Sequence, residues 1–160
     1  ANLLFMGAEF GQSAEWNFQH SLDWHLLQYE VHNGIQAFMK DLNRCYTGNP
    51  ALYEKQFSPD GFQWISYEDH DNCVLAYIRK GHDEENDLIV LCNLTPVPRK
   101  SYQIGVPSNK KYSLVLNSDD SKYGGSGQKP GGLKVKKQAA HGFEQSLSVN
   151  IPPLSVLIIG

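Results

Sequence analysis

No stretch of this sequence approaches the roughly 18 consecutive apolar residues of a membrane span. Its N-terminal apolar run, Leu3-Leu4-Phe5-Met6-Gly7-Ala8, has neither a basic leader nor a small-residue cleavage site. A soluble chain with no address label and no membrane partner is the expectation. Charge is also scarce. Lys and Arg number 14 against 17 Asp and Glu, a net charge of -3, and the charged fraction is 19%, below the roughly 25% usual in globular proteins. A nucleic-acid partner, which needs a basic face, is disfavoured. Cysteine is limited to Cys45, Cys73 and Cys92, an odd number set wide apart, so reduced, buried thiols in a cytoplasmic protein are expected. The six histidines lack zinc-ligand spacing, and neither a metal nor a cofactor is predicted.

What is present divides near residue 55. The apolar run 3–8 reads as a strand buried on both faces, followed by a polar aromatic loop holding Glu9, Gln12, Glu15, Trp16, Asn17, Asp23 and Trp24. Residues just past such a strand commonly line a ligand site. No second strand of that kind follows, so neighbours outside this chain are expected to cover Leu3 to Met6. Ile35, Phe38, Met39, Leu42 and Tyr46 then fall at i, i+3, i+4, i+7 and i+11, the stripe of an amphipathic helix. Asn33 is expected to cap its start, and a left-handed Gly48 with Pro50 to end it. The pair Asp41 and Arg44 then lies on its wetter side.

From Phe57 onward, short β-rich runs alternate with turn residues, predicting about eight strands of an antiparallel sandwich. Phe62–Tyr67 and Cys73–Arg79 flank Asp69-His70-Asp71-Asn72 as a hairpin, and Leu88 to Leu94 reads as a central strand. That strand also removes most of the weight from the glycosylation sequon Asn93-Leu94-Thr95. Further strands are expected over Tyr102–Val106, Tyr112–Asn117, Ser146–Ile151 and Leu154–Ile159. Lys134 to Lys137 alternates with Leu133 and Val135 as a solvated strand face. The Gly-rich stretch 119–132 lacks the Lys-Ser/Thr and following helix of a phosphate loop and reads as a surface loop.

Two aromatic groups are candidate sugar platforms, because an aromatic ring meets the apolar face of a pyranose while polar neighbours take its hydroxyls. One is Trp16 and Trp24 with Gln12, Glu15 or Asn17; the other is a surface set of Trp64, Tyr67 and Tyr123. The competing reading of these rings is core packing. For Glu9 and Asp23, the alternative to ligand contact is that their carboxylates accept backbone or indole hydrogen bonds that fix the loop.

The motifs Leu3-Leu4-Phe5-Met6-Gly7, Glu9-Phe10-Gly11-Gln12, Glu15-Trp16-Asn17 and Ser21-Leu22-Asp23-Trp24-His25-Leu26-Leu27 resemble the last barrel strand and loop of the bacterial-type 1,4-α-glucan branching enzymes, in glycoside hydrolase family 13. The resemblance continues through Gly61-Phe62-Gln63-Trp64-Ile65, Cys92-Asn93-Leu94-Thr95-Pro96-Val97-Pro98-Arg99, Tyr123-Gly124-Gly125-Ser126-Gly127 and Ile151-Pro152-Pro153-Leu154-Ser155-Val156, covering essentially the whole chain. It departs from the family pattern at Phe18-Gln19-His20. The resemblance implies a mainly β fold, a Greek-key-type β-sandwich of the α-amylase C-terminal type, preceded by the last βα unit of a (β/α)8 barrel. Residues 1–54 would then belong to the barrel and 55–160 to the all-β domain. It implies a fragment of an enzyme that cuts α-1,4 bonds of a glycogen-type α-glucan and passes the chain to a 6-hydroxyl. Its Asp nucleophile, Glu acid/base and third Asp lie upstream of residue 1, which makes the remaining barrel a partner of this segment. No catalytic residue is assigned here, and Glu9, Gln12, Trp16 and Asn17 are expected at the cleft rim. The alternative is a non-catalytic α-glucan-binding module.

Overall fold

The computed structural model describes residues 3–160. One helix, α1 (Glu30–Gly48), precedes eight strands: β1 (Phe62–Asp69), β2 (Val74–Arg79), β3 (Leu88–Asn93), β4 (Arg99–Val106), β5 (Leu114–Asn117), β6 (Val135–Lys136), β7 (Gln145–Ile151) and β8 (Ser155–Ile159). They form a five-stranded sheet in the order β1-β2-β3-β8-β5 and a three-stranded sheet in the order β4-β7-β6. Every pairing is antiparallel. The expected β1–β2 hairpin forms, and β3 occupies the middle of its sheet. The runs on either side of Pro107 to Lys110 enter different sheets as β4 and β5.

The core lies between the sheets, where Ile65, Ala76, Ile78 and Leu91 meet Ile104, Val106, Leu147 and Val149. Along β7, Leu147, Val149 and Ile151 are buried while Ser148 is half-buried and Asn150 exposed, but Ser146, expected on the wet face with them, is buried, its hydroxyl accepting from Gln103 at 3.0 Å. A second cluster covers the outer face of the larger sheet, with Leu88, Val90, Leu116 and Ile158 packed beneath Cys45, Phe38 and Leu42 of α1. Strands β3 and β8 are therefore covered on both faces. That explains why Leu88-Ile89-Val90-Leu91 and Val156-Leu157-Ile158-Ile159 are continuous apolar runs in an antiparallel fold. Each such side chain contributes roughly 1.5–3 kcal/mol by leaving water.

Four local expectations need correction. Leu3 to Met6 forms no strand and its side chains are exposed, Leu3 to 95%. A buried strand needs hydrogen-bonding neighbours on its edges, and none of the strands here pairs with it. Asn33 does not cap α1: Tyr29 stands at the N-cap without a side-chain cap bond, and the Asn33 amide already donates to the Tyr29 carbonyl at 3.0 Å. The helix starts earlier than its apolar stripe because Glu30 suits the positive end of the helix dipole. Gly48 ends the helix without a left-handed turn. Asn49 takes the extended conformation favoured before Pro50 (φ -125°, ψ 103°), and its Nδ2 donates to the Cys45 carbonyl at 2.6 Å. Finally, Cys73 is exposed rather than buried, because it sits at φ 48° in the β1–β2 turn. Among the described residues, no helix is long and apolar enough to cross a membrane.

Candidate functional site

The N-terminal loop is built around Phe10, which is fully buried, and two glycines. Gly7 (φ 83°) and Gly11 (φ 70°) flank a single 3-10 turn, Ala8–Phe10, in left-handed conformations that side chains rarely adopt. The Phe10 ring lies 5.1 Å from Trp24, and the Phe10 carbonyl accepts from Nδ1 of His32 on α1 at 2.8 Å. Because a carbonyl can only accept, Nδ1 carries the proton.

Gln12 closes the loop. Its Nε2 donates to the Ala14 carbonyl at 2.7 Å, and its Oε1 accepts from the Asp23 amide at 2.8 Å. The amide that was expected to meet a sugar is thus committed to holding residues 14 and 23 together. Among the described residues, neither the Glu9 nor the Asp23 carboxylate takes the loop-fixing role considered for it, and Gln12 fills it because its amide both donates and accepts. Trp16 is no core residue: its indole is 74% exposed, rests against Phe5 at 4.7 Å, and is carried on a backbone with φ 58°. Asn17 is exposed beside it, and Glu9 is half-buried.

A second aromatic surface lies on the outer face of β1 and β2. Trp64 is 45% and Tyr67 55% exposed, which removes them from the core. Trp64 meets Phe62 edge-on at 4.9 Å, Tyr77 at 5.8 Å and Tyr67 at 5.6 Å. A register shift between Trp64 and Ser66 adds a residue to β1 and brings Tyr67 back to the face of Phe62 and Trp64. Sequence reasoning missed Phe62 and Tyr77. The i, i+2 spacing of Phe62 and Trp64 was a visible signal, whereas Tyr77 joins only through its pairing opposite Trp64.

Tyr123 does not belong to that surface. It stands half-buried against α1, its ring edge-on to Phe38 at 5.2 Å and its hydroxyl donating to the Asp41 carboxylate at 2.9 Å. Lys122 Nζ reaches the same carboxylate at 2.9 Å, and Arg44 joins at 3.2 Å. Hydrogen bonds from Lys122 and then Tyr123 hold the Asp41 carboxyl below its ordinary range, while Lys122 is pushed upward by Tyr123 and Asp41. The Gly-rich stretch that carries Tyr123 is knitted by Asp119, which accepts from the Ser126 amide, the Ser126 hydroxyl and the Gln128 amide. Its glycines are thus explained by a folded loop docked on a helix.

The sandwich has relatives in both sequence and shape. A profile of the family described as alpha amylase, C-terminal all-beta domain, matches residues 64–160. The chain belongs to this family. The 1,4-alpha-glucan branching enzyme GlgB of Aquifex aeolicus (strain VF5) is 46% identical over 158 residues, covering 98% of this chain and 25% of that protein. The protein of the same name from Pseudomonas fluorescens (strain Pf0-1) is 48% identical over 158 residues, 98% of this chain and 21% of its own length. The chain therefore spans about a quarter or less of the curated relatives it matches. Among solved structures, a debranching enzyme from Nostoc punctiforme superposes with a TM-score of 0.55 at 14% identity, over 84% of this chain and 23% of that one. At that identity the likeness is one of fold. Strand β1 stands at one edge of the larger sheet, and among the described residues its Trp64 and Tyr67 rings are exposed.

Proposed function

We propose that this chain is the C-terminal part of a 1,4-α-glucan branching enzyme, in which it braces the catalytic barrel and supplies part of the cleft rim. The observation that carries this reading is the identity of 46% spread over 98% of the chain, the N-terminal loop included. The reaction cuts an α-1,4 bond through a glycosyl-enzyme and passes the glucan to a 6-hydroxyl instead of water, work that needs two carboxyl groups facing one bond. By the family resemblance the reacting carboxyl groups belong to the part of the protein that this chain does not span, and none of Glu9, Glu15 and Asp23 is assigned to them. The exposure of Leu3, Leu4, Phe5 and Met6 supports a neighbouring barrel strand packed against them. The boundary near residue 55 then separates barrel from all-β domain, and the reduced thiols fit a cytoplasmic enzyme of glycogen synthesis.

Replacing the matching 158 residues of the Aquifex aeolicus relative by this chain tests the reading. The chimera is expected to form α-1,6 linkages in amylose, while this chain alone forms none. A folded chimera without branching overturns the assignment; turnover by the chain alone overturns the placement of the chemistry. The exposed rings of Phe62, Trp64 and Tyr67, backed by the half-buried Tyr77, favour a second role, α-glucan binding away from the cleft, since exposed clustered rings are the apolar half of a sugar site. Affinity electrophoresis in glycogen-containing gels reads that role directly.

A further inference from the structure

We propose that α1 is a rigid spacer through which the β-sandwich sets the position of the N-terminal loop, with His32, Gly34, Asp41 and Tyr123 as its positioning residues. The inference rests on the cleft-rim reading of Glu9, Gln12 and Trp16 and adds how that rim is held. Two stripes of one helix carry it. Gly34, Phe38 and Asp41 stand at i, i+4 and i+7, one face over two turns, and that face is taken up by the loop around Tyr123. A Cβ at Gly34 would lie 2.6 Å from the Tyr123 carbonyl oxygen, so helix and loop backbones touch there and only glycine fits. One turn on, Phe38 meets the Tyr123 ring, and two turns on, Asp41 binds both Tyr123 and Lys122.

The second stripe, His32 and Ile35, faces the N-terminal loop. Ile35 follows Gly34 directly, about 100° further round the helix, and its Cδ1 lies 2.9 Å from where a Cβ on Gly11 would be. His32 donates to the Phe10 carbonyl on the same side. Within three residues the helix is therefore gripped from one side by the sandwich and from another by the loop. A shift of α1 toward solvent at Gly34 carries Phe10 and Gly11 with it or breaks the His32 bond. Gln12 extends the constraint to residue 23 through the Asp23 amide, leaving Trp16 exposed on a loop whose base and closure are both tied.

The Asp23 amide is the reporter, because a side-chain oxygen is the acceptor that protects it. In the intact chain, Gly34→Ala and His32→Ala are expected to speed hydrogen exchange of the Asp23 and Gln12 amides about tenfold, while amides of β3 and β8 keep their rates. Tyr123→Phe is the milder variant if Gly34→Ala fails to fold, with an expected acceleration of about threefold. Unchanged loop exchange in His32→Ala and Tyr123→Phe overturns the proposal, as does equal acceleration of loop and sandwich, which marks general destabilisation. In the chimeric enzyme the same variants are expected to raise KM for glucan about threefold to tenfold with kcat within about twofold. Faster loop exchange with KM unmoved keeps the spacer and overturns the rim reading instead.

Discussion

Tyr102 on β4 donates its hydroxyl to the carboxylate of Asp69 at the end of β1, 2.7 Å away, and so ties the two sheets together at one end of the sandwich. Asp69 also accepts from the amide and side chain of Asn72, joining the β1–β2 turn to the same bond. Burial pulls the Asp69 carboxyl upward, but the hydrogen bonds from Tyr102 and Asn72 together outweigh it and hold it below its ordinary value of 3.8. The Tyr102 phenol is pushed up, by burial first and then by Asp69.

Tyr102→Phe is expected to destabilise the chain by about 1–2 kcal/mol, the worth of a solvent-screened hydrogen bond to a charged acceptor. Denaturant titration checks the stability.

The aromatic surface separates from the core by its response to truncation. Trp64→Ala and Tyr67→Ala remove rings that are about half solvated, 45% and 55% exposed, so each is expected to lower stability by less than about 2 kcal/mol yet weaken retardation in glycogen gels about threefold to tenfold, as lost ring stacking predicts. Tyr123→Ala should do the reverse, loosening the loop on α1 without changing retardation.

The Asp41 clamp has a defined pH window. Its carboxyl is lowered from 3.8 and the Lys122 ammonium raised from 10.5. The Asp41 contribution is complete above 3.8 and is lost as pH falls through the lowered folded-state value. The Lys122 contribution is complete below 10.5 and is lost as pH rises through the raised one. The melting temperature of the wild type should therefore exceed that of Asp41→Asn most between these limits, with the gap closing beyond either. Because the clamp is exposed, about 1 M salt should narrow the gap as well.

Asn93 is a buried polar centre at the same end of the sandwich as Tyr102 and Asp69, opposite Val74, which in turn pairs with Asp69. It is 1% exposed; its Nδ2 donates to the carbonyls of Val97 and Pro152, and its Oδ1 accepts from the amide and hydroxyl of Thr95. Asn93→Ala removes its bonds to Val97 and Thr95 and one of the two donors to the buried Pro152 carbonyl, which keeps the Ser155 hydroxyl at 2.8 Å, and is expected to cost about 1–3 kcal/mol. The same burial keeps the amide nitrogen of the Asn93-Leu94-Thr95 sequon from acceptor chemistry, so mass spectrometry after secretion through a glycosylating host should find it unmodified.

Much of the sandwich was legible because a strand's side chains alternate with a period of two and its turns need special residues. Leu147, Val149 and Ile151, the Asp69–Asn72 joint and the edge lysines around β6 each announced their place. Less of the candidate sites could be read. Trp16, Trp64 and Tyr123 are all large rings with a polar tip, and nothing local distinguishes an exposed platform from a ring docked on a helix. Gln12 looked like a ligand group until its amide was found closing its own loop.

Strand periods, the helix stripe and the family motifs follow from the order of residues alone, since they depend on near neighbours and on which faces must leave water. Contacts between residues far apart in the chain decided the rest. Asp41 met Tyr123 across 82 positions, Tyr102 met Asp69 across 33, and β4 and β5 parted into separate sheets. Such partners are chosen by packing and by the need to satisfy buried polar groups. Both are properties of the whole interior, not of any segment that contributes to it.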